Sequence, residues 1–321
     1  MTADTLTVRV AGKRAIAEDI CCLDLHPVDG RPLPGFEAGA HIDVHLPGRL
    51  IRQYSLCNAP QHARHYQIAV LRDPATRGGS RAVHDAVREG DTLVTGRPRN
   101  RFALADNAPH HLLLAGGIGV TPLMAMAWAL SAREARFEMH YFTRSPARTA
   151  FREVIRASSL AAHVRHWFDD DATSARPTVD ALLAQAPAGT HVYVCGPGGF
   201  IDHVIAACAR QGVPAQRVHY ERFQSGQAAA EAARAFTVVV GSTGRRVAVT
   251  PEESVVEALA RAGVPIPVSC EQGICGTCLT GVRAGVPDHR DQYLTDAEHA
   301  AGNCFTPCCS RALTPELVLD I

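Results

Sequence analysis

Cys270, Cys275 and Cys278 are spaced C-x4-C-x2-C. Thiolates at that spacing, with a fourth further along the chain, match the ligand set of a plant-type [2Fe–2S] cluster. Three sulfurs must converge on two irons from one tight loop, so the backbone has to wrap the metal. Gly273 and Gly276 supply permissive dihedrals and leave amides to point at the sulfurs, where such hydrogen bonds help set the reduction potential. Cys304, Cys308 and Cys309 are the candidates for the fourth ligand. Neighbouring side chains in an extended segment face opposite ways, so Cys308 and Cys309 do not both ligate easily. A four-cysteine zinc site built from Cys275, Cys278, Cys304 and Cys308 uses the same chemistry. It leaves Cys270 and the two glycines without a purpose.

A second constellation is made of glycines. The apolar run 111–115 leads into Gly116-Gly117-Ile118-Gly119-Val120-Thr121-Pro122 and then a helical pattern. A glycine turn between strand and helix lets the backbone approach a pyrophosphate at a helix N-terminus, where free amides and the dipole favour anions. The pattern is not G-x-G-x-x-G, because Pro122 stands in the third place when counting from Gly117; Pro122 suits the first helical turn instead. A similar turn, Cys195-Gly196-Pro197-Gly198-Gly199, follows the run 191–194. Two such turns at the ends of two strands imply a shared ligand crevice. Each alone also reads as a purely structural turn.

A third set lies earlier. Arg52-Gln53-Tyr54-Ser55 sits on a predicted strand, offering a phosphate-pairing guanidinium, an aromatic plane on the same face and a hydroxyl donor. Further on, Arg77-Gly78-Gly79-Ser80 precedes a helix-like stretch, with Ser80 suited to be its N-cap and the start a ready phosphate site. A barrel strand plus a capped turn accounts for both without a ligand.

The elements that must position these residues fall into three textures. Up to about residue 104, short strand-like runs (6–10, 20–25, 41–46, 52–56, 65–72 and 92–95) are punctuated by Gly and Pro and interrupted by one helix-like insert, 80–88. That pattern favours an antiparallel barrel or sandwich. From 105 to 225, apolar runs at 111–115, 137–142, 163–167 and 191–195 alternate with helical stretches at 121–130, 147–157, 179–184 and 200–210. Such alternation reads as a parallel sheet covered by helices. A small polar and alanine-rich stretch, 226–234, reads as a linker, or as a short exposed helix. The final unit, 235–321, contains the cysteine cluster.

Composition bounds the rest. The 321 residues are 46% hydrophobic and 20% charged, with 32 basic and 32 acidic side chains. This describes globular domains, and nothing in the charge balance points to nucleic acid. No apolar run approaches the roughly 18 residues needed to cross a bilayer, and the first residues lack a signal-peptide pattern, so a cytoplasmic location is expected. Six of the eleven cysteines lie between Cys270 and Cys309, which favours metal ligation over disulfides. The 16 histidines are scattered, and most read as solvent-facing or structural.

Together these motifs resemble the ferredoxin–NADP reductase superfamily. Arg52-Gln-Tyr-Ser55 is similar to its R-x-Y-S flavin motif, Gly116–Pro122 to its nicotinamide-side turn, and Cys195-Gly196-Pro197 to its second nucleotide contact. With the cysteine unit last, the order is similar to the phthalate dioxygenase reductase family and its vanillate demethylase reductase relatives. The resemblance covers essentially the whole chain. It implies a multidomain protein: an antiparallel β-barrel flavin domain (1–104), an α/β parallel-sheet NAD domain (105–225), the linker 226–234, and an α+β (β-grasp) [2Fe–2S] ferredoxin domain (235–321).

The same resemblance implies an oxidoreductase that takes hydride from NADH through FMN and delivers single electrons to a cluster. Arg52 with Gly78-Gly79-Ser80 would hold the FMN phosphate. Gln53 belongs to the same flavin-binding strand, and Tyr54 and Ser55 would line the isoalloxazine, the serine near the nitrogen that accepts hydride. His219-Tyr-Glu-Arg-Phe223 resembles the segment whose aromatic ring, Phe223, lies by the flavin. Gly116, Gly117, Gly119 and Thr121, with Cys195, Gly196 and Pro197, would bind the dinucleotide. Cys308-Cys-Ser-Arg311 matches the family's C-x-S-R, which selects Cys308 as fourth metal ligand beside Cys270, Cys275 and Cys278. The implied partner is a Rieske-type terminal oxygenase, met transiently by a monomer. Arg144, Ser145 and Arg148 could instead grip the 2′-phosphate of NADPH, or form a solvated loop. Two other readings are a flavin reductase or diaphorase serving another acceptor, and a zinc-containing nucleotide-binding module.

Overall fold

The computed structural model describes residues 5–48, 50–62, 64–74, 78–170, 176–223 and 234–321. Arg77 and the linker up to 233 lie outside them. The chain divides into two compact units, 1–222 and 223–321.

The first unit begins with β1 (Thr5–Ala17), β2 (Ile20–Pro27), β3 (Ala40–Leu46), β4 (Leu50–Ser55), β5 (Tyr66–Leu71), α1 (Gly79–Asp85), β6 (Thr92–Gly96) and β7 (Arg99–Asn100). The sheet runs β4-β3-β6-β1-β2-β5, with β7 on β3. A bridge between Leu56 and Ile68 joins its two edges, closing the expected antiparallel barrel. Alternation drives it: Val8 and Val10 point inward while Thr7 and Arg9 are exposed. Val8, Val10, Leu23, Leu25, Ile42, Val44 and Ile68 fill the interior, each contributing about 1.5–3 kcal/mol on burial. β1 outruns the expected end at residue 10. A register shift between Val10 and Gly12 marks a bulge, beyond which no residue of the strand is fully buried and the hydrophobic alternation is lost.

The unit continues with β8 (His111–Gly116), α2 (Val120–Ala132), β9 (Phe137–Thr143), α3 (Arg152–Arg156), β10 (Val164–Phe168), α4 (Val179–Gln185), β11 (His191–Cys195), α5 (Gly198–Arg210) and β12 (Val218–Glu221). The sheet is wholly parallel, in the order β10-β9-β8-β11-β12. The strand order therefore reverses between β8 and β11, the place where open α/β sheets bind ligands. α2 is buried almost all round, as a helix enclosed on both sides must be. A side chain on Gly39 of the barrel would meet its Met126, and Gln61 donates to the Trp128 carbonyl. The helix expected over 147–157 is broken: Phe151 is left-handed, with φ 60°, and leaves a 3-10 turn at Pro146–Arg148 before α3.

The second unit contains β13 (Phe236–Val240), β14 (Arg246–Val249), α6 (Val255–Arg261), β15 (Thr280–Ala284), β16 (Pro287–Asp288), α7 (Asp296–Ala301), β17 (Cys304–Phe305), β18 (Arg311–Ala312) and β19 (Glu316–Leu319). Its mixed sheet runs β14-β13-β19-β15-β17, with β13 and β19 parallel at the centre. Ser254 and Glu257 form a capping box at the start of α6, the usual way to satisfy first-turn amides. Val255, Ala258 and Leu259 of that helix pack with Val238, Val249, Phe305 and Leu317. This is the expected α+β arrangement.

Candidate functional site

The cysteine loop lies between α6 and β15, with Cys270, Cys275 and Cys278 buried and Cys308 half-buried. The amide of Gln272 donates to Cys270 Sγ at 3.3 Å and that of Thr277 to Cys275 Sγ at 3.4 Å. Gly273 holds φ 68°, and a Cβ there would strike Cys309 Sγ and stand 2.8 Å from Asp291 Cβ. Cys270 associates with Cys275, and Cys308 with both Cys278 and Cys309, the contact with Cys308 also lowering Cys309. The thiol of Cys270 donates to Cys275, bringing Cys275 down to about 5; Cys308 donates to Cys278, which is lowered likewise. The same contacts and burial push Cys270 and Cys308 up; four sulfurs grouped so closely are the donor set a thiolate-bound cluster requires.

Cys309, next to Cys308, faces Thr306 Oγ1 at 3.3 Å and Ser310 Oγ at 3.8 Å. Cys304 lies on β17 opposite Gly281. The motif's arginine is a brace: buried Arg311 donates to the carbonyls of Glu253, Arg234 and Thr250, tying the segment after Cys308 to the loop before α6.

In the parallel sheet, Cys195 pairs with Ala115, so the two glycine turns leave neighbouring strands side by side. A Cβ on Gly119 would collide with the main chain of Cys195 and Gly196, and one on Gly196 would come 2.9 Å from Gly116 Cα. These glycines let two backbones touch. Thr121 Oγ1 donates to the Ile118 carbonyl, and Pro122 falls in the first turn of α2 as expected. Pro197 occupies the N-cap position of α5.

On β4, register places Arg52, Gln53, Tyr54 and Ser55 opposite Val44, Asp43, Ile42 and His41. Gln53 donates to Asp43 at 2.8 Å. Arg52 lies against the start of α1, its Cγ 2.6 Å from where a Gly79 Cβ would be, so strand and glycine turn do converge. Ser80 is not the N-cap. That position belongs to Gly78, at φ 90°, because only glycine takes this conformation cheaply; the Ser80 hydroxyl instead accepts from the Asp73 amide at 3.2 Å. Burial pushes the Tyr54 hydroxyl well above its usual range. Arg148 is engaged with Glu18 and Asp19, while Arg144 is exposed. Phe223 is half-buried just past β12.

One residue was missed as a site candidate. Glu221 ends β12, paired with Cys195, and accepts from Ser55 Oγ at 3.4 Å. His41 Nδ1 stands 4.0 Å from its other oxygen, and the Glu221 side chain is only 15% exposed. Burial pushes its carboxyl up to about 8; burial and then Arg99 bring His41 down to about 4. At neutral pH both groups favour the uncharged form. The arrangement can therefore hold a proton beside the Ser55 hydroxyl, where the barrel meets the end of β11.

Residues 238–313 match the 2Fe-2S iron-sulfur cluster binding domain. Residues 93–218 match the N-terminal domain of dimethylamine monooxygenase subunit DmmA-like proteins. A vanillate O-demethylase oxidoreductase of Pseudomonas sp. (strain HR199 / DSM 7063) is 49% identical over 316 residues, 98% of this chain and 100% of that protein. The chain belongs to the family of oxygenase reductases. The solved structure of phthalate dioxygenase reductase, described as a modular structure for electron transfer from pyridine nucleotides to [2Fe-2S], is 37% identical. Its TM-score is 0.80, covering 99% of this chain and 98% of that one. An intact type IV self-sufficient cytochrome P450 monooxygenase is 38% identical with TM-score 0.81, covering 99% of this chain but 41% of the other. Like its relatives, this oxygenase reductase is an oxidoreductase with a flavin- and nucleotide-binding fold followed by a [2Fe–2S] domain.

Proposed function

We propose that the chain is the NADH-dependent FMN and [2Fe–2S] reductase component of a Rieske-type aromatic oxygenase or O-demethylase. The observation that carries this reading is the meeting point in the first unit. There the two glycine turns touch at the sheet's switch point, and Ser55 of the barrel reaches Glu221 beside them. One place thus suits both a dinucleotide and a flavin. When bound, the flavin supplies the conversion of hydride chemistry into single-electron chemistry, and the cluster supplies one-electron storage.

Arg52 and the Gly78-Gly79-Ser80 turn bind the FMN phosphate, a reading supported by the packing of Arg52 on Gly79. Tyr54 and Ser55 line the ring, with Ser55 as donor and Phe223 as the aromatic neighbour. Glu221 holds a proton next to Ser55. Gly116, Gly117, Gly119 and Thr121, with Cys195, Gly196 and Pro197, bring main-chain amides up to the pyrophosphate at the α2 N-terminus. Cys270, Cys275, Cys278 and Cys308 ligate the cluster, a choice supported by the Cys278–Cys308 contact. The boundaries 1–104, 105–225 and 235–321 then separate flavin, nucleotide and cluster functions, with 226–234 as linker. NADH is preferred over NADPH because Arg148 is already engaged by Glu18 and Asp19.

The protein would act as a cytoplasmic monomer meeting its oxygenase transiently. Among the described residues no helix is long and apolar enough to cross a membrane. The test is steady-state NADH oxidation with a purified Rieske-type oxygenase and its aromatic substrate. Product formation coupled to NADH consumption supports the reading. Turnover with small acceptors alone favours a diaphorase, and reduction of a haem monooxygenase instead favours the kind of enzyme represented by the P450 relative.

A further inference from the structure

A hydride is one proton and two electrons, and an iron–sulfur cluster takes electrons alone. On the reductase reading proposed above, each NADH gives NAD+, two electrons for the cluster and one proton that stays behind in the first unit. That proton has to reach solvent. Ser55, the donor proposed to face the flavin, is buried, and its hydroxyl donates to Glu221 Oε2 at 3.4 Å. Glu221 is itself mostly covered, so a proton held there needs a way out.

His41 stands on that route. It lies on β3, whose Ile42 and Val44 fill the barrel interior, so alternation turns His41 and Asp43 outward. Register sets His41 opposite Ser55 on β4 and Arg99 on β7. Its Nδ1 is 4.0 Å from Glu221 Oε1, and 9% of its side chain is exposed. From that distance a small rotation, or one shared water, completes a hydrogen bond. Asp43, on the same face of β3, accepts from Arg99 at 2.6 Å and from Gln53 at 2.8 Å. Arg99 is 43% exposed. The row Ser55, Glu221, His41 and Asp43 thus leads from a buried hydroxyl to an ion pair at the surface.

We propose that His41 is the relay that exchanges the Glu221 proton with solvent. It acts through Glu221 and touches neither nucleotide nor flavin, so it is a positioning residue for the proton. The charges around the ring are Glu221 on β12, Arg99 on β7, Arg101 beyond it and Asp43 on its own strand. Burial first, then the two arginines, outweigh Asp43 and hold the imidazole down at about 4. At neutral pH it is therefore uncharged, with one bare nitrogen and one N–H. Such a ring takes a proton at Nδ1 while it gives one up at Nε2, and no buried imidazolium has to persist.

The test uses flavin- and iron-replete protein, reduced anaerobically with one equivalent of NADH. It is then mixed with ferricyanide, a one-electron oxidant, in weak buffer containing a pH-indicating dye. Flavin absorbance and the dye report the departure of electrons and protons separately. His41→Gln keeps a polar side chain that cannot relay, and His41→Ala leaves room for added imidazole. Proton release about tenfold slower or more in both variants, restored by imidazole in His41→Ala alone, is the expected result. The same exchange is read without cofactor in flavin-free protein, from the infrared carboxyl band that Glu221→Gln removes. After a jump through pH 8, near the Glu221 midpoint of about 8, this band should relax more slowly in both variants by a similar factor. Parent-like rates in either variant, or a slow His41→Ala that imidazole does not speed, would overturn the relay alone. A parent whose flavin is not reduced by NADH and releases no proton would overturn the reductase reading and the relay together.

Discussion

The Ser55 hydroxyl donates to a carboxyl oxygen of Glu221 at 3.4 Å, joining residues 166 positions apart. That bond ties β4 of the barrel to β12, the last strand of the parallel sheet. It also places a proton-holding group against the donor proposed to face the flavin. Removing the donor should slow the chemistry without unfolding the chain. In Ser55→Ala, flavin reduction by NADH in anaerobic stopped flow is expected to slow by about 10²-fold, the usual scale for one positioned donor, with the cluster spectrum unchanged. An unaltered rate would place Ser55 outside the reaction.

The elevated Glu221 carboxyl also has a stability consequence. Its folded-state value of about 8 stands above an unfolded value of 4.5. Between these, the folded protein holds the proton more tightly, so the stability this group contributes is complete below about pH 4.5 and is lost as pH rises through 8. Glu221→Gln cannot titrate and should flatten that slope. Urea unfolding of the flavin-free protein at pH 6 and pH 8.5 measures it. The parent should lose a few kcal/mol more than the variant across the interval; parallel losses would contradict the shift.

Gly119→Ala tests the contact between the two turns. At φ −61° alanine is conformationally acceptable, so the cost is the collision with the Cys195 and Gly196 main chain. Destabilisation of about 1–3 kcal/mol, read by thermal unfolding, should accompany weakened nucleotide binding. Wild-type values of both would mean that the turns can separate freely.

Arg52→Lys retains the charge but loses the paired, planar donors. FMN affinity, measured by fluorescence on release, is expected to fall about tenfold, and further in Arg52→Ala. Unchanged affinity in both would remove Arg52 from the phosphate site.

How much of this was legible in the sequence differs from site to site. Cysteine spacing is a local property dictated by cluster geometry, so the [2Fe–2S] domain that residues 238–313 match was legible in Cys270, Cys275 and Cys278. The glycine turns were visible one at a time; their contact depends on β8 and β11 being neighbours, a topological fact. Glu221 gave no local signal, since a carboxylate ending a short strand is ordinary until β12 lies beside Cys195 and β4 brings Ser55 across. Ser80 had the composition of an N-cap, but the positive φ at Gly78 moved the start of α1 by two residues. The apparent helix over 147–157 had suitable residues and was broken by tertiary burial of Phe151.

The fourth-ligand assignment separates adjacent cysteines. Cys308→Ser should abolish the visible cluster spectrum or leave it sharply more labile to chelators. Cys309→Ser and Cys304→Ser should keep it. The reverse pattern would move the ligand to the neighbouring thiol.

The most direct test of electron flow mixes anaerobic, flavin- and iron-replete protein with NADH and follows flavin and cluster absorbance together. A low-temperature paramagnetic resonance sample is frozen at the end. Flavin bleaching followed by the signal of a reduced [2Fe–2S] cluster, lost in Cys308→Ser while flavin bleaching persists, is the predicted result. Flavin bleaching with a cluster that stays oxidised would contradict the claim that this chain carries electrons from nucleotide to iron.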